Sequence, residues 1–252
     1  MLNMNVRRII IGISVSSFIF SMFHILDYFY GSYENQRMYA AVQETFTDSL
    51  PKAEMAYRKS ETQEQPLISE RFLPLLEINE DTIGWITVPN TSIDYPIVQT
   101  KDNDYYLDHN FQHSKSDAGS IFMDFRNAPD LSDRHSIIYG HHMRDGSMFK
   151  GLINYQDEDF FEHNRTITIQ TLTEETEWEI FSAYVTTTDF YYIVTDFSSD
   201  QEYLDFLELV QNKSQYQPND VPFTHQDQLL TLSTCAYDFE DARFVVHARK
   251  IK

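Results

Sequence analysis

Cys235 is the only cysteine in the 252 residues, and it closes the run TLSTC near the C-terminus. Arg243 opens the next apolar run, RFVVHARKI, eight residues later. Far upstream the run HSIIYG is followed by His141 and His142. Together these residue types describe acyl chemistry on an amide. A thiol attacks as its thiolate, which a cationic neighbour favours. A histidine supplies the proton that a leaving amine needs. A guanidinium hydrogen-bonds a developing oxyanion, or fixes a carbonyl, without losing its charge. Each residue also has a plainer reading: a buried structural cysteine, a surface-loop histidine and an ordinary charge at the start of a strand.

Other chemistries lack their residues. One cysteine forms no internal disulfide and excludes multi-cysteine zinc sites. Neighbours on a strand point to opposite faces, which argues against His141 and His142 as joint metal ligands. His109, His113 and His135 are not read as ligands either, so neither a metal nor a cofactor is expected. The chain contains no G-x-S-x-G, H-E-x-x-H or glycine-rich phosphate loop. Asp238, Glu240 and Asp241 lie in the link between Cys235 and Arg243, where one of them orients His141 or Arg243, or all three form a solvated turn.

The elements that must position these residues are short. GWITVP, SIDYPIVQ, GSIFMDF, HSIIYG, RTITIQTL, EWEIFSAYVTTT, QLLTLSTC and RFVVHARKI are β-rich and bounded by Asn, Asp, Gly and Pro. Eight such runs at irregular intervals predict a closed antiparallel or mixed barrel. If the link after Cys235 is a hairpin, Arg243 returns beside the cysteine. The glycine of YGHH is expected to allow a sharp turn. One helix is predicted in SSDQEYLDFLELVQNKS, where Ser199 and Glu202 form a capping box. Tyr203, Phe206, Leu207 and Val210 follow at helical spacing and are expected to face the barrel. The aromatic connection TTDFYYIVTDF before it is long enough to suggest a functional loop.

Composition bounds the setting. With 39 acidic and 19 basic residues the net charge is -20, which disfavours nucleic-acid binding. From Ile9 to Phe23 there is no charge, and the apolar trend continues to about Tyr30. That length suits a membrane-spanning helix. Arg7 and Arg8 precede it, so the positive-inside rule leaves the N-terminus cytoplasmic and the bulk of the chain outside. A cleaved signal peptide is the alternative, but no A-x-A-like site follows. The expected division is an anchor at 1–31, a helical stalk at 32–71 interrupted by Pro51 and ending near Gln65 and Pro66, and a β-barrel at 72–252.

TLSTC, an arginine opening DARFVV and an upstream YGHH together resemble the sortases, the cysteine transpeptidases of Gram-positive cell surfaces. The resemblance runs from about residue 78 to 252 and includes GWITVPNTSIDYPIVQ, DNDYYLDHNF, AGSIFMDFRN and MFKGL. The YGHH pair, the helix before the cysteine run and the N-terminal helical segment look most like class B. The resemblance implies a mainly β fold, an eight-stranded barrel with an extracellular site. It implies Cys235 as the nucleophile on a Thr-Gly or equivalent bond of a C-terminal sorting signal, His141 as general acid and base, and Arg243 as the oxyanion or substrate-stabilising residue. A thioester acyl-enzyme would be resolved by an amine, from a peptidoglycan precursor in wall anchoring or from a pilin lysine in pilus assembly. Asn103, Leu107, Tyr139, Thr188, Tyr192, Ile193 and Ser233 would line the sorting-peptide groove. The alternatives are a secreted cysteine protease, in which water replaces the amine, and a non-catalytic surface module.

Overall fold

The computed structural model describes residues 4–48, 68–216, 222–235 and 241–252. Its helices and strands are α1 (Met4–Asp48), α2 (Leu73–Ile78), β1 (Thr82–Thr87), β2 (Asp94–Val98), β3 (Ile121–Met123), β4 (His135–Tyr139), α3 (Glu158–His163), β5 (Thr166–Thr171), β6 (Glu175–Thr186), α4 (Asp200–Asn212), β7 (Leu229–Cys235) and β8 (Arg243–Lys250). Each of the eight β-rich runs forms a strand. They close into a barrel in the order β1-β2-β3-β4-β7-β8-β6-β5. The pairs β2–β3 and β4–β7 are parallel and the rest antiparallel, so the barrel is mixed.

The buried apolar residues form a main core and two smaller clusters. Trp85, Ile86, Ile97, Ile138, Leu230, Leu232, Phe244 and Val246 belong to the main core. Phe181 and Leu229 form a second cluster with Tyr203, Phe206, Leu207 and Val210 of α4. Those four helical residues are the expected apolar stripe. The cap is half of a capping box: Glu202 N donates to Ser199 Oγ at 3.2 Å. The Glu202 carboxylate reaches back to the amide and hydroxyl of Ser198 instead of the Ser199 amide. With α4 and the 187–199 loop covering one side, β4, β7 and β8 are buried on both faces, which is why polar His135, Thr231 and His247 are fully enclosed there.

Helix α1 runs unbroken across the expected boundary at 31/32. Its N-terminal part is apolar, exposed and long enough to cross a membrane. Farther along, Asn35, Tyr39, Val42 and Phe46 are buried, a stripe at i, i+3 or i+4 laid on the barrel. Phe46 stacks on Trp85 with centroids 4.1 Å apart and planes 7° from parallel. Arg71 lies over the Phe46 ring at 4.1 Å. Burying each of these apolar side chains contributes about 1.5–3 kcal/mol, enough to hold α1 against the strands. Pro51, Gln65 and Pro66 lie outside the described residues.

Candidate active site

Strand register brings three distant parts of the chain to one rim. In the parallel pair β4–β7, Tyr139 is level with Ser233, and Gly140 N donates to Ser233 O at 3.2 Å. His141 and Cys235 each lie two residues farther along these neighbouring tracks. In the antiparallel pair β7–β8, Cys235 is directly opposite Arg243. Arg243 is also level with Thr186, the last residue of β6. The expected return of Arg243 beside the cysteine is therefore present in the backbone. Asp238 and Glu240 lie outside the described residues.

Gly140 answers a different need from the one its sequence context suggests. It has no positive φ. A Cβ there would lie 2.5 Å from the Ile121 side chain and 2.8 Å from the Phe149 ring. The residue is small because the 141–149 loop folds back tightly on itself: Phe149 N donates to His141 O at 2.9 Å, and His142 bridges Met148. His142 is buried in that loop, whereas His141 is only partly covered.

The His141 ring is held by backbone. Nε2 lies 2.7 Å from Leu107 O. A carbonyl only accepts, so Nε2 is the ring nitrogen that carries a proton here. The ring edge rests against Gly119, whose φ of +56° an L side chain rarely adopts. A Cβ on Gly119 would meet Tyr106 O at 2.4 Å, Leu107 O at 2.8 Å and the ring at 3.1 Å. His109 and His113, four residues apart, are not on a helix. Both engage Tyr105, His109 by stacking at 4.2 Å and His113 by a hydrogen bond at 3.1 Å.

Most of the residues that the resemblance assigned to the groove lie along β4 and β7, from Tyr139 and Ser233 down to Ile193, whose neighbour Val194 meets the start of β4. Tyr192 Oη lies 2.7 Å from Ser233 Oγ. Tyr139 donates to Asp124 Oδ2 at 2.9 Å, and Asn103 Nδ2 donates to the same oxygen at 3.0 Å. Ile193 O accepts from Arg126 at 3.1 Å. Leu107 is 43% exposed. Thr188 is exposed two residues beyond the end of β6.

Sequence reasoning did not single out the centre of this web. Asp124 is fully buried and forms a bidentate pair with Arg126, at 2.8 and 2.7 Å. Burial pushes its carboxyl up, but the hydrogen bonds from Arg126 and Tyr139 outweigh that and hold it below the usual carboxylate range. Burial, then the Asp124 charge, pushes the Tyr139 hydroxyl well above its ordinary value, so it stays a donor. Arg126 also reaches Tyr191 Oη at 3.3 Å and so ties the 187–199 loop to the end of β3. The available signal was an Asp and an Arg two apart directly after an apolar strand, in IFMDFRN.

A closed, mixed barrel with Cys235, the histidine loop and Arg243 on adjoining strand ends is a sortase-type barrel. The sortase domain family model matches residues 86–251. The sortase B of Listeria monocytogenes is 44% identical over 186 residues, covering 73% of this chain and 75% of that protein. The sortase B of Staphylococcus aureus is 39% identical over 223 residues, covering 85% and 90%. A crystal structure of a Bacillus anthracis protein described as similar to sortase B superposes with a TM-score of 0.77 at 46% identity, covering 87% of this chain and 97% of that one. This chain belongs to the sortase family, among the class B sortases, which are transpeptidases.

Proposed function

We propose that this chain is a membrane-anchored cysteine transpeptidase that cleaves a C-terminal sorting signal and joins the new carboxyl end to an amine of the cell-wall peptidoglycan precursor. Residues 1–31 form the anchor, 32–71 the connecting segment and 72–252 the catalytic barrel, with the N-terminus cytoplasmic and the barrel outside. The reading is carried by the strand register that sets His141, Cys235 and Arg243 on adjoining strand ends.

In this reading the Cys235 thiolate attacks the scissile carbonyl carbon. Arg243 stabilises the oxyanion. A C–S bond forms and the C–N bond breaks as His141 Nδ1 gives its proton to the leaving amine. The acceptor amine then attacks the thioester and returns a proton to Nδ1, and the thiolate departs. Holding Nε2 on Leu107 O keeps the ring in the tautomer that this exchange requires. Asn103, Leu107, Tyr139, Thr188, Tyr192, Ile193 and Ser233 line the groove for the sorting peptide. A Staphylococcus aureus sortase B has been solved as a substrate complex, and it superposes on this chain with a TM-score of 0.76 at 35% identity.

The test incubates the full chain with a sorting-signal peptide and a small primary amine, with products identified by mass. The expected result is a peptide–amine conjugate and a thioester on the only cysteine, both absent in Cys235→Ala. Hydrolysed peptide alone in the presence of amine, or conjugate formed by Cys235→Ala, would overturn the reading.

A further inference from the structure

Helix α1 touches the barrel where the two supports of His141 meet. The first support is the Gly119 shelf. Tyr39 donates its hydroxyl to Gly119 O at 3.1 Å and lies 3.3 Å from Ser120 Oγ. One turn earlier on α1, Asn35 Oδ1 accepts from Ser116 Oγ at 3.4 Å, at the start of the same shelf. Ser120 N in turn donates to Tyr106 O, next to the Leu107 carbonyl that holds the imidazole.

The second support is the 141–149 loop. Asp145 Oδ1 closes its turn by accepting from the amide and hydroxyl of Ser147. The other oxygen, Oδ2, accepts from Ser32 and, at 3.3 Å, from Gln36, both on α1. Burial pushes the Asp145 carboxyl up, but these hydrogen bonds outweigh it and keep it ionised and accepting. A third link runs through aromatic packing. Tyr39 meets Tyr95 edge to face at 5.1 Å, and Tyr95 Oη accepts from Met148 N at 3.1 Å. Met148 sits at a φ of +56° opposite His142. A non-glycine residue keeps such a conformation only where its surroundings impose it.

Four α1 side chains, Ser32, Asn35, Gln36 and Tyr39, thus reach both sides of one histidine across separations of about 80 to 113 residues. The barrel closes without them, and three of the four are polar, so cohesion of the core does not account for the choice. We infer that the helix emerging from the membrane is a brace for His141, with Ser32, Gln36 and Tyr39 as positioning residues that fix the imidazole through Asp145 and Gly119. Ser32 follows the apolar segment by two residues, about 3 Å along a helix. Seating of that segment in the bilayer and alignment of the imidazole are therefore properties of one rigid helix.

The inference rests on His141 as the proton-transfer residue. The test uses the full chain in phospholipid nanodiscs, comparing wild type, Ser32→Ala/Gln36→Ala and Tyr39→Phe for amine transfer across a pH series. Tyr39→Phe keeps the ring packing and removes only the hydroxyl. The expected result is a fall in kcat of about five- to tenfold with KM within twofold, because a small misplacement of a catalytic group costs rate out of proportion to binding. One limb of the kcat/KM pH profile should also move by half a unit or more relative to wild type. Unchanged kcat and an unmoved pH profile in folded variants would overturn the brace. A parallel fall in thermal stability with no kcat–KM split would also overturn it, since that is a purely structural role. A wild-type chain with no Cys235-dependent transfer would instead strike the functional reading beneath it.

Discussion

Acid should loosen this barrel from inside, through a buried chain of four side chains. His135 Nδ1 faces Val194 O and therefore donates; its Nε2 lies 2.6 Å from Thr231 Oγ1. Thr231 Oγ1 lies 2.7 Å from His247 Nδ1, and His247 Nε2 lies 2.7 Å from Tyr184 Oη. With both imidazoles neutral, one ordering satisfies every atom. Tyr184 donates to His247, His247 to Thr231, Thr231 to His135, and His135 to the carbonyl. A proton added to His135 turns its accepting nitrogen into a donor and leaves the threonine proton without an acceptor. Burial accordingly pushes the His135 pKa down to about 4, and burial together with the His135 charge pushes His247 well below the ordinary range.

The sign follows from linkage. Above pH 6.5 the folded and unfolded histidines are both neutral and the term is negligible. As the pH falls below 6.5 the unfolded state takes protons that folded His135 refuses, and stability drops until about pH 4, where the folded group also titrates. Between pH 7 and pH 5 the His135 contribution is a loss of about 2 kcal/mol, a fall in Tm of about 4–8 °C for a chain of this size. The assay is thermal unfolding at pH 7 and pH 5 for wild type and His135→Gln, whose amide does not titrate. The acid shift should shrink by that amount in the variant. Equal shifts in both proteins, or a folded His135 that titrates near 6.5 by NMR, would refute the assigned proton order.

Two further outcomes are expected. His141→Ala should abolish turnover, whereas His142→Gln, changed inside the loop core, should lower Tm by a few degrees and keep turnover within about tenfold; equal loss of turnover in both would contradict the assignment of His141 and not His142 as the proton-transfer residue. Gly119→Ala must displace two backbone carbonyls and adopt a left-handed φ at a cost of about 1–2 kcal/mol. It should lose transfer activity at least tenfold, measured as initial rate, and wild-type rates would show that the shelf does not hold the imidazole.

Features set by neighbouring residues were readable from the chain. The β-branched runs HSIIY and RTITIQT, bounded by turn formers, became strands with the expected limits to within a residue or two. The α4 stripe and the Ser199 cap depend on a spacing of three or four residues, and a short link after Cys235 allowed the Arg243 return to be anticipated. Beyond the Asp124–Arg126 spacing, the web was not legible, because its other contacts span 15 to 67 residues and nothing in IFMDFRN says that the carboxylate points inward. Gly140 was misread for the same reason: a glycine excluded by a distant phenylalanine looks, in sequence, like a glycine in a turn.

The two parallel pairings explain why this barrel, and not a simple up-and-down meander, suits the site. In an antiparallel neighbour pair the C-terminal ends of the strands lie at opposite rims, so a histidine and a cysteine that both follow their strands could not meet. Parallel β4–β7 puts both C-terminal ends at one rim, and antiparallel β8 then contributes its first residue there. A parallel pair requires a long crossover, and here it contains α3, β5, β6, the aromatic loop and α4. The same crossover brings Tyr192 and Ile193 back alongside β4 and β7, where Ser233 and Arg126 hold them. The 93 residues between His141 and Cys235 are thus the means by which one topology brings both strand ends together and lays the aromatic loop beside them.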